Sequence, residues 1–521
     1  MVNVMENVEN AEVLIAGAGP TGLLLAVWLT RLGVQVRVVD PKSGPTEETR
    51  AIGVQARTLE FYDQLGLGQE ALVRGHHFDA VNLWVRGHFR GRVRLRGVGE
   101  DFTPHPYLYI LTQDQNEVML LKHLEEKGGA VAWQTELTGF TQDENSVTAT
   151  LRRGDQTETV RAAYLAGCDG ARSMVRHGLG MPFTGGTQAQ TFFVADVTAT
   201  GKLRPGDMNL GLDDKNFLAS FPMLGPDHHR IVGQLPESAD EHSTFESVRP
   251  EVEAYGMAHV KEVHWFSTYR SHHRVAARFR VGRAFLLGDA GHVHSPVGGQ
   301  DMNTGLGDAA NLAWKLAQAL HGGDRAVLNT FESERRPFAA SLVNTTDRIF
   351  SGVVNPSALA RFVRTRVIPA VLLVLARPRS VRRQLFLAVL QTRIRYPDSP
   401  LSAGRAGRVR GGDRLPWVSD GATSNFDALK SLGWQIHVYG TPNPKLLAWG
   451  TARGLRLYAF PFTRAARRAG LVKGALYLMR PDGYVGLAAP RFEQASLDTY
   501  AERWLPRVPS SSVRAGGRRS S

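Results

Sequence analysis

The chain has 521 residues, 43% of them hydrophobic and 21% charged. That balance fills several cores and excludes a disordered chain, a collagen-like fibre and a disulfide-stapled miniprotein. The net charge of +13 comes from 62 basic and 49 acidic residues, but the basic residues are spread along the chain without any nucleic-acid module, so no nucleic-acid partner is expected.

The single cysteine, Cys168, rules out an intrachain disulfide and fits a reducing cytoplasm. The N-terminus, MVNVMENVENAEVLIAG, lacks a basic region followed by an apolar stretch, so no signal peptide is expected. The most apolar later segment, Val367 to Ala376, is far short of the ~20 residues of a membrane span. A soluble, cytoplasmic protein without a transmembrane segment is the expectation.

In chain order, Val13-Leu14-Ile15 forms a β-prone run, followed by Gly17-Ala18-Gly19-Pro20-Thr21-Gly22, an apolar helical stretch and Val34 to Asp40. This is a strand, turn, helix and strand of the length a dinucleotide-binding βαβ unit requires. Gly17 permits the tight turn, Gly19 admits a pyrophosphate and Gly22 allows close helix packing. The helix N-terminus offers N–H groups to phosphate, and Asp40 is placed to accept from an adenosine ribose. That acid favours FAD or NAD over FMN. Arg90, Arg92, Arg94 and Arg96 alternate with smaller residues, so a strand would put them on one face. A solvated edge strand is the simplest expectation.

Residues 186–274 alternate as an antiparallel sheet would. Ala284-Phe285-Leu286-Leu287 then ends in Gly288-Asp289, and a glycine-rich loop leads to a helix expected from about Gly307 to Ala319. A strand ending in Gly-Asp sets a carboxylate at the sheet's C-terminal edge, where ligands bind. Loop N–H groups and the helix's positive end suit a ring edge that gains negative charge on reduction. Residues 346–402 read as helical, 403–413 as a Gly/Arg-rich linker, and 414–505 return to strand and helix alternation with a turn at Pro481-Asp482-Gly483. His292 and His294 lack an acid or cysteine at ligand spacing, so no metal is expected. His228-His229 and His272-His273 read as surface or turn residues. Phe217, Phe221, Met223, Trp265 and Tyr269 lie in the sheet region, as core or as substrate contacts.

Together with Gly167-Cys168-Asp169-Gly170-Ala171-Arg172-Ser173 and the run from Asn311 to Pro337, these motifs resemble the class A flavoprotein monooxygenases, typified by p-hydroxybenzoate and phenol hydroxylases. Leu476 to Val485 is similar to the C-terminal thioredoxin-like domain of the phenol and polyketide hydroxylase branch, without CxxC. The resemblance implies an α/β fold: a Rossmann-like FAD-binding domain over 1–185 and 275–345, and an inserted antiparallel-sheet substrate domain at 186–274, to which 75–105 contributes. It further implies a helical segment at 346–402, a thioredoxin-like domain at 403–505 and a disordered tail at 506–521.

It implies FAD as cofactor, held by Gly17, Gly19, Thr21, Gly22, Asp40, Arg50, Gln113, Asp169, Asp289, Gly298, Gly299, Asp301, Met302 and Asn303. NAD(P)H, with NADPH expected, and O₂ are the implied co-substrates. An aromatic, phenolic or polyketide-like molecule is the substrate, hydroxylated through a C4a-hydroperoxyflavin. Arg50 would guard the flavin's position, Pro296 would flank its ring, and the Tyr269 hydroxyl would bond a phenol or quinone oxygen. Baeyer–Villiger oxidation or epoxidation are alternatives on the same scaffold, and a flavoprotein that only shields a reactive intermediate is another. A homodimer is compatible with this reading. Asp301 departs from the family's usual glycine. If the site needs positive φ, Asp is among the least costly replacements; its carboxylate would disfavour a negatively charged reduced flavin.

Overall fold

The computed structural model describes residues 9–506 apart from 48–50, 96, 205, 215, 236–241, 295–298, 355–356, 376–377, 379–380, 382, 385–386, 388 and 422. Arg50, Pro296 and Gly298 therefore lie outside the described residues, as does the expected tail from 507 onward. The chain divides into two compact units, one reaching Ala310 and including Arg335–Arg393, the other made of Asn311–Glu334 and the residues from Ile394. No helix among the described residues is long and apolar enough to cross a membrane.

The first unit holds two large sheets. In one, Ala284–Leu286, Gln156–Gly167, Glu9–Ala16, Val36–Asp40 and Val131–Trp133 lie side by side and pair in parallel. Helix Pro20–Arg31 starts with proline at its first turn, which costs no backbone hydrogen bond there. Its unbroken apolar run, Leu23 to Leu29, is entirely buried.

The other sheet runs in the order His292–Val293, Ala258–Ala276, Phe183–Gly201, His228–Gln234, Phe217–Pro222, Met208–Leu212, Ala80–Val85 and His88–Arg94. All its neighbours are antiparallel except Met208–Leu212 with Ala80–Val85. Side chains alternate between its faces. Phe193, Ala195, Val197 and Ala199 enter a core with Phe245, Val248 and Val252 of helix Phe245–Ala254, leaving Phe192 and Asp196 on the opposite face. The arginine-rich strand is the edge: Arg90, Arg92 and Arg94 are exposed, and Arg92 pairs with Asp207 at 2.8 Å. The His228-His229 and His272-His273 pairs lie within strands rather than turns.

Two local expectations are corrected. The helix expected from Gly307 is Asp301–Leu320, six residues longer at its start. Gly305 and Gly307 read as loop residues because glycine disfavours helix interiors, yet here they make room. A Cβ at Gly305 would come within 2.3 Å of Thr21 Oγ1, and one at Gly307 within 3.0 Å of Arg335. Positive φ falls on Gly299 (60°) and not on Asp301, so no left-handed turn explains the aspartate. The stretch 403–413, read as a linker, contains strands Ala403–Ala406 and Val409–Arg410, which pair and join the second unit's sheet. Its glycines serve tight geometry: Gly404 has φ +69° and a Cβ there would meet Ala488 O at 2.2 Å.

In that second unit, Gln435–Tyr439, helix Pro444–Ala452 and Arg456–Phe460 form a parallel βαβ. Leu476–Met479 and Val485–Ala489 follow as a hairpin beside Gln435–Tyr439, and helix Gln494–Trp504 closes the unit. Under the hairpin turn lies a buried charge cluster. Arg480 donates two hydrogen bonds to Glu334 (2.6 and 2.9 Å) and two to Asp482 (3.0 and 2.5 Å). Lys315 donates to Glu334 at 2.8 Å and Asn311 at 2.7 Å, and Trp314 Nε1 to Asp482 at 3.1 Å.

Burial opposes charge on Arg480, Lys315 and Glu334, yet Arg480 and Lys315 together hold Glu334 far below the usual carboxylate range. Lys315 is nonetheless pushed down to about 8 by burial, despite Glu334. The bidentate Arg480–Glu334 pair is therefore the strong member and Lys315 the weaker partner. Arg480→Met should cost about 3–5 kcal/mol, because it strands two buried carboxylates, and Lys315→Met about half of that or less. Urea unfolding of both variants checks this; equal losses would show that the lysine is an equal partner.

Candidate active site

Three strand ends meet at one edge of the parallel sheet. Ala16 pairs with Gly167, and Gly167 with Leu286, so the turns after each strand lie side by side. The Cys168 N–H donates to Ala16 O at 2.7 Å and the Leu287 N–H to Gly167 O at 3.0 Å. A Cβ at Gly17 (φ +103°) would lie 2.2 Å from Cys168 O, and one at Gly22 would lie 1.9 Å from Gly17 O. Both glycines are thus demanded by protein packing. Gly19 differs: a Cβ there would meet nothing within 4 Å, and its φ is −74°. Space is left open at the N-terminus of helix Pro20–Arg31, which has no side-chain cap and no acid in its first turn. An anionic diphosphate suits that position.

Asp40 braces the turn. Its Oδ2 accepts from the Ala18 N–H at 2.7 Å and its Oδ1 from the Lys42 N–H at 2.8 Å. Thr21 wedges against Gly288 and Gly305, where added Cβ atoms would fall 2.8 and 2.3 Å from its Oγ1. Asp169 caps helix Met174–Gly178 through the Val175 N–H at 3.0 Å, while its buried Oδ1 finds no hydrogen-bond partner among the described residues. Burial outweighs the donors nearby and pushes this carboxyl up. An orphaned acceptor at this edge fits a hydroxyl-bearing ligand.

Asp308 ties the Gly288 turn to two helices. Its Oδ2 accepts from the Gly288 N–H at 3.0 Å and from His292 Nε2 at 2.7 Å, and its Oδ1 from Arg335 Nε at 2.6 Å. Burial opposes this charge, but Arg335 and His292 hold Asp308 below its ordinary pKa, and Asp308 raises His292 against burial. Asn303 uses all its polar capacity. Its Oδ1 accepts from the Gln55 N–H (2.7 Å) and Thr58 Oγ1 (2.8 Å), and its Nδ2 donates to Gly53 O and Gly299 O, both at 2.8 Å. Gln113 donates to Glu117, which accepts from the Thr46 N–H, so helix Gln113–Glu126 holds the chain just past Asp40.

A cavity of about 380 Å³ opens nearby, with Arg74, His76, Asp114, Asp196, Arg230 and Trp265 among its walls. Asp196 and Arg230 lie on the sheet face away from the Phe245–Ala254 core and form a bidentate pair, both bonds at 2.6 Å. Arg230 also lies over Trp265, 5.5 Å from its ring centre. A small sheet links this cavity to the glycine loop: His76–Phe78 pairs with Leu108–Ile110, which pairs with Gly53–Val54, beside Gly299 and Asn303.

A family model described as an FAD binding domain matches residues 10–346. The chain belongs to the FAD-dependent monooxygenases of the class A aromatic hydroxylase superfamily. It is 32% identical over 515 residues to 6-methylpretetramide 4-monooxygenase from Streptomyces rimosus, covering 93% of this chain and 91% of that one. It is 30% identical to a flavin-dependent monooxygenase from Mycobacteroides abscessus, with 91% and 96% covered. Among solved structures, it superposes on anhydrotetracycline hydroxylase from Streptomyces rimosus with a TM-score of 0.78 at 29% identity, covering 96% and 100%.

The residues expected at the cofactor divide by position in this monooxygenase. Gly17, Gly19, Thr21, Gly22, Asp40, Asp169 and Asp289 gather at the sheet edge. Gly299 lies two residues before helix Asp301–Leu320, whose first turn holds Asp301, Met302 and Asn303. Met302 sulfur accepts from Asn116 at 3.6 Å. Tyr269 packs against Phe192, centroids 5.9 Å apart, outside the cavity wall that Trp265 joins from the same strand. Sequence reasoning missed Asp308, Arg335, Gln55 and Thr58; the carboxylate of Asp308 amid an otherwise small and apolar helical run was the one available sign. Among the described residues, no group of three or more His, Cys, Asp or Glu could hold a metal ion.

Protein packed around the Asp289 carboxyl at the sheet edge, and the Asp301 carboxylate, push it up to about 7. Its ordinary value is lower, so the folded apoprotein binds a proton that the unfolded chain releases, and stability falls as pH rises from about 4 to 7. Asp289→Asn should flatten that slope in thermal melts of the apoprotein. Asp289→Ala should weaken FAD binding by roughly one to two orders of magnitude if its carboxylate accepts from a polyol, at about 1–3 kcal/mol for donors left unpaired. An FAD dissociation constant unchanged in equilibrium dialysis would refute that contact.

Proposed function

We propose that this monooxygenase hydroxylates a phenolic, polyketide-like polycycle in the cytoplasm, taking electrons from NADPH and oxygen from O₂. The observation that carries the substrate class is the volume of the cavity, about 380 Å³. His76, on the cavity wall, stands two strand spacings from Gly53, about 10 Å. Strand Leu108–Ile110 fills the space between them, whereas the cavity itself has room for fused rings. The cavity's size is typical of sites for such molecules. The relatives named for a pretetramide and for anhydrotetracycline support the same class.

FAD, when bound, supplies the hydride acceptor and the oxygen-activating ring. The chain supplies position and charge. Gly19 and the Pro20–Arg31 N-terminus would receive the diphosphate, Asp40 a ribose hydroxyl, and Asp169 and Asp289 further hydroxyls. Asn303 fixes the helix start at Asp301 against Gly53 and Gln55. Trp265 offers an aromatic wall, and Arg230, its charge balanced by Asp196, keeps a flat cationic face against it. The second unit is read as thioredoxin-like in strand order but without redox work, because Cys168, the single cysteine, lies in the first unit.

NADPH oxidation should be stimulated more by fused polycyclic phenols than by monocyclic ones, with a product heavier by one oxygen atom. Stimulation by single-ring phenols alone would overturn the size argument. Product connectivity separates ring hydroxylation from insertion beside a ketone or epoxidation. Trp265→Ala should raise KM for the polycycle by roughly tenfold or more, from an aromatic contact worth about 1.5–3 kcal/mol, with FAD content unchanged.

A further inference from the structure

Asp301 stands where no backbone constraint asks for it. It opens helix Asp301–Leu320 with ordinary helical geometry, since the positive φ before it belongs to Gly299. A carboxylate at a helix N-terminus is normally stabilised in its charged form. Here burial prevails and pushes Asp301 up to about 6, with His292 opposing. About a third of its side-chain surface (34%) is open, so protons and a ligand edge can reach it. His294, from the segment after strand His292–Val293, brings Nε2 to 3.3 Å from Asp301 Oδ1.

The groups that face this pair come from each element around it. Asp289, on the sheet-edge turn, is itself raised by the Asp301 charge. His292 lies on the short strand, and its raised proton affinity rests on Asp308 from the helix interior, which Arg335 holds from the next helix. Two carboxylates and two imidazoles therefore share a confined region, backed by one fixed ion pair. Any further negative charge placed there raises every proton affinity in the cluster.

We propose that Asp301 and His294 form a proton-accepting pair that takes up one solvent proton when the cofactor is reduced, coupling protons to electrons at the glycine loop. The inference rests on the reading that this loop abuts the flavin. Hydride transfer moves two electrons and one proton from the nicotinamide, which leaves oxidised, and adds one net negative charge to the site. The solvent proton joins the Asp301 carboxylate, whose Oδ1 lies 3.3 Å from His294 Nε2, so the region's net charge is unchanged.

The test is the midpoint potential of the FAD-loaded enzyme as a function of pH. For a two-electron couple, each proton taken up contributes about 30 mV per tenfold change in proton concentration. Wild type should approach two protons per two electrons between about pH 6.5 and 8. Asp301→Asn should fall to one proton, with a higher potential at the alkaline end. His294→Gln takes away the imidazole that stands 3.3 Å from Asp301, so the break between the two slopes should shift along the pH axis. A loaded wild type that shows one proton across this range overturns the proposal without any variant. So do two-proton slopes that neither substitution alters, which is the outcome for a purely structural pair. A wild type that never binds FAD would instead refute the flavin reading beneath it.

Discussion

Close approach of backbones at one sheet edge is the constraint on which the rest of this monooxygenase depends. Gly17 lies against the Cys168 carbonyl, Gly22 against Gly17, and Gly288 and Gly305 against Thr21, each nearer than a Cβ would permit. Removing these side chains lets the dinucleotide turn, the Asp169 turn and the Gly288-Asp289 turn converge. Their polar groups then share one small region, where neither strand alone could assemble a cofactor cradle.

Convergence brings charge together as well as backbone. Asp308 meets that demand by accepting from a backbone N–H, an imidazole and a guanidinium at once. Because its partners come from a turn, a short strand and a second helix, the same carboxylate that satisfies the Gly288 N–H also orients His292 and Arg335. Asn303 does equivalent work with neutral groups, spending both faces of one amide on two segments. The contrast is physical: a fixed ion pair tolerates burial when its bonds are complete, whereas Asp169 and Asp301 each keep one buried carboxylate oxygen without a hydrogen-bond partner among the described residues.

The large twisted sheet plays a separate part. Its alternation sends Phe193, Ala195 and Val197 into a dry core and leaves Asp196, Arg230 and Trp265 facing the cavity. Strand Phe183–Gly201 thus fills a core with one face and lines a cavity with the other. The small three-stranded sheet joins the cavity wall at His76 to Gly53 beside the glycine loop.

The sequence by itself determined the features that local geometry controls. The strand–turn–helix–strand run, the glycines at 17, 19 and 22, Asp40 at the second strand's end and the Gly288-Asp289 terminus follow from the chain's own periodicity and backbone freedom. The tertiary structure decided what depends on neighbours distant in sequence. Gly305 and Gly307 read as loop because intrinsic propensity counts against them, but contact with Thr21 and Arg335 makes them helical. The glycines of 403–413 read as a linker until pairing with Val485–Ala489 turns them into a hairpin. The parallel pairing of Ala80–Val85 with Met208–Leu212, and the meeting of His292 with Asp308 and of Asp301 with His294, leave no trace in any short window. Hydrophobic period and glycine placement are written along the chain, whereas hydrogen-bond partners and proton affinities exist only once separate segments share a burial site.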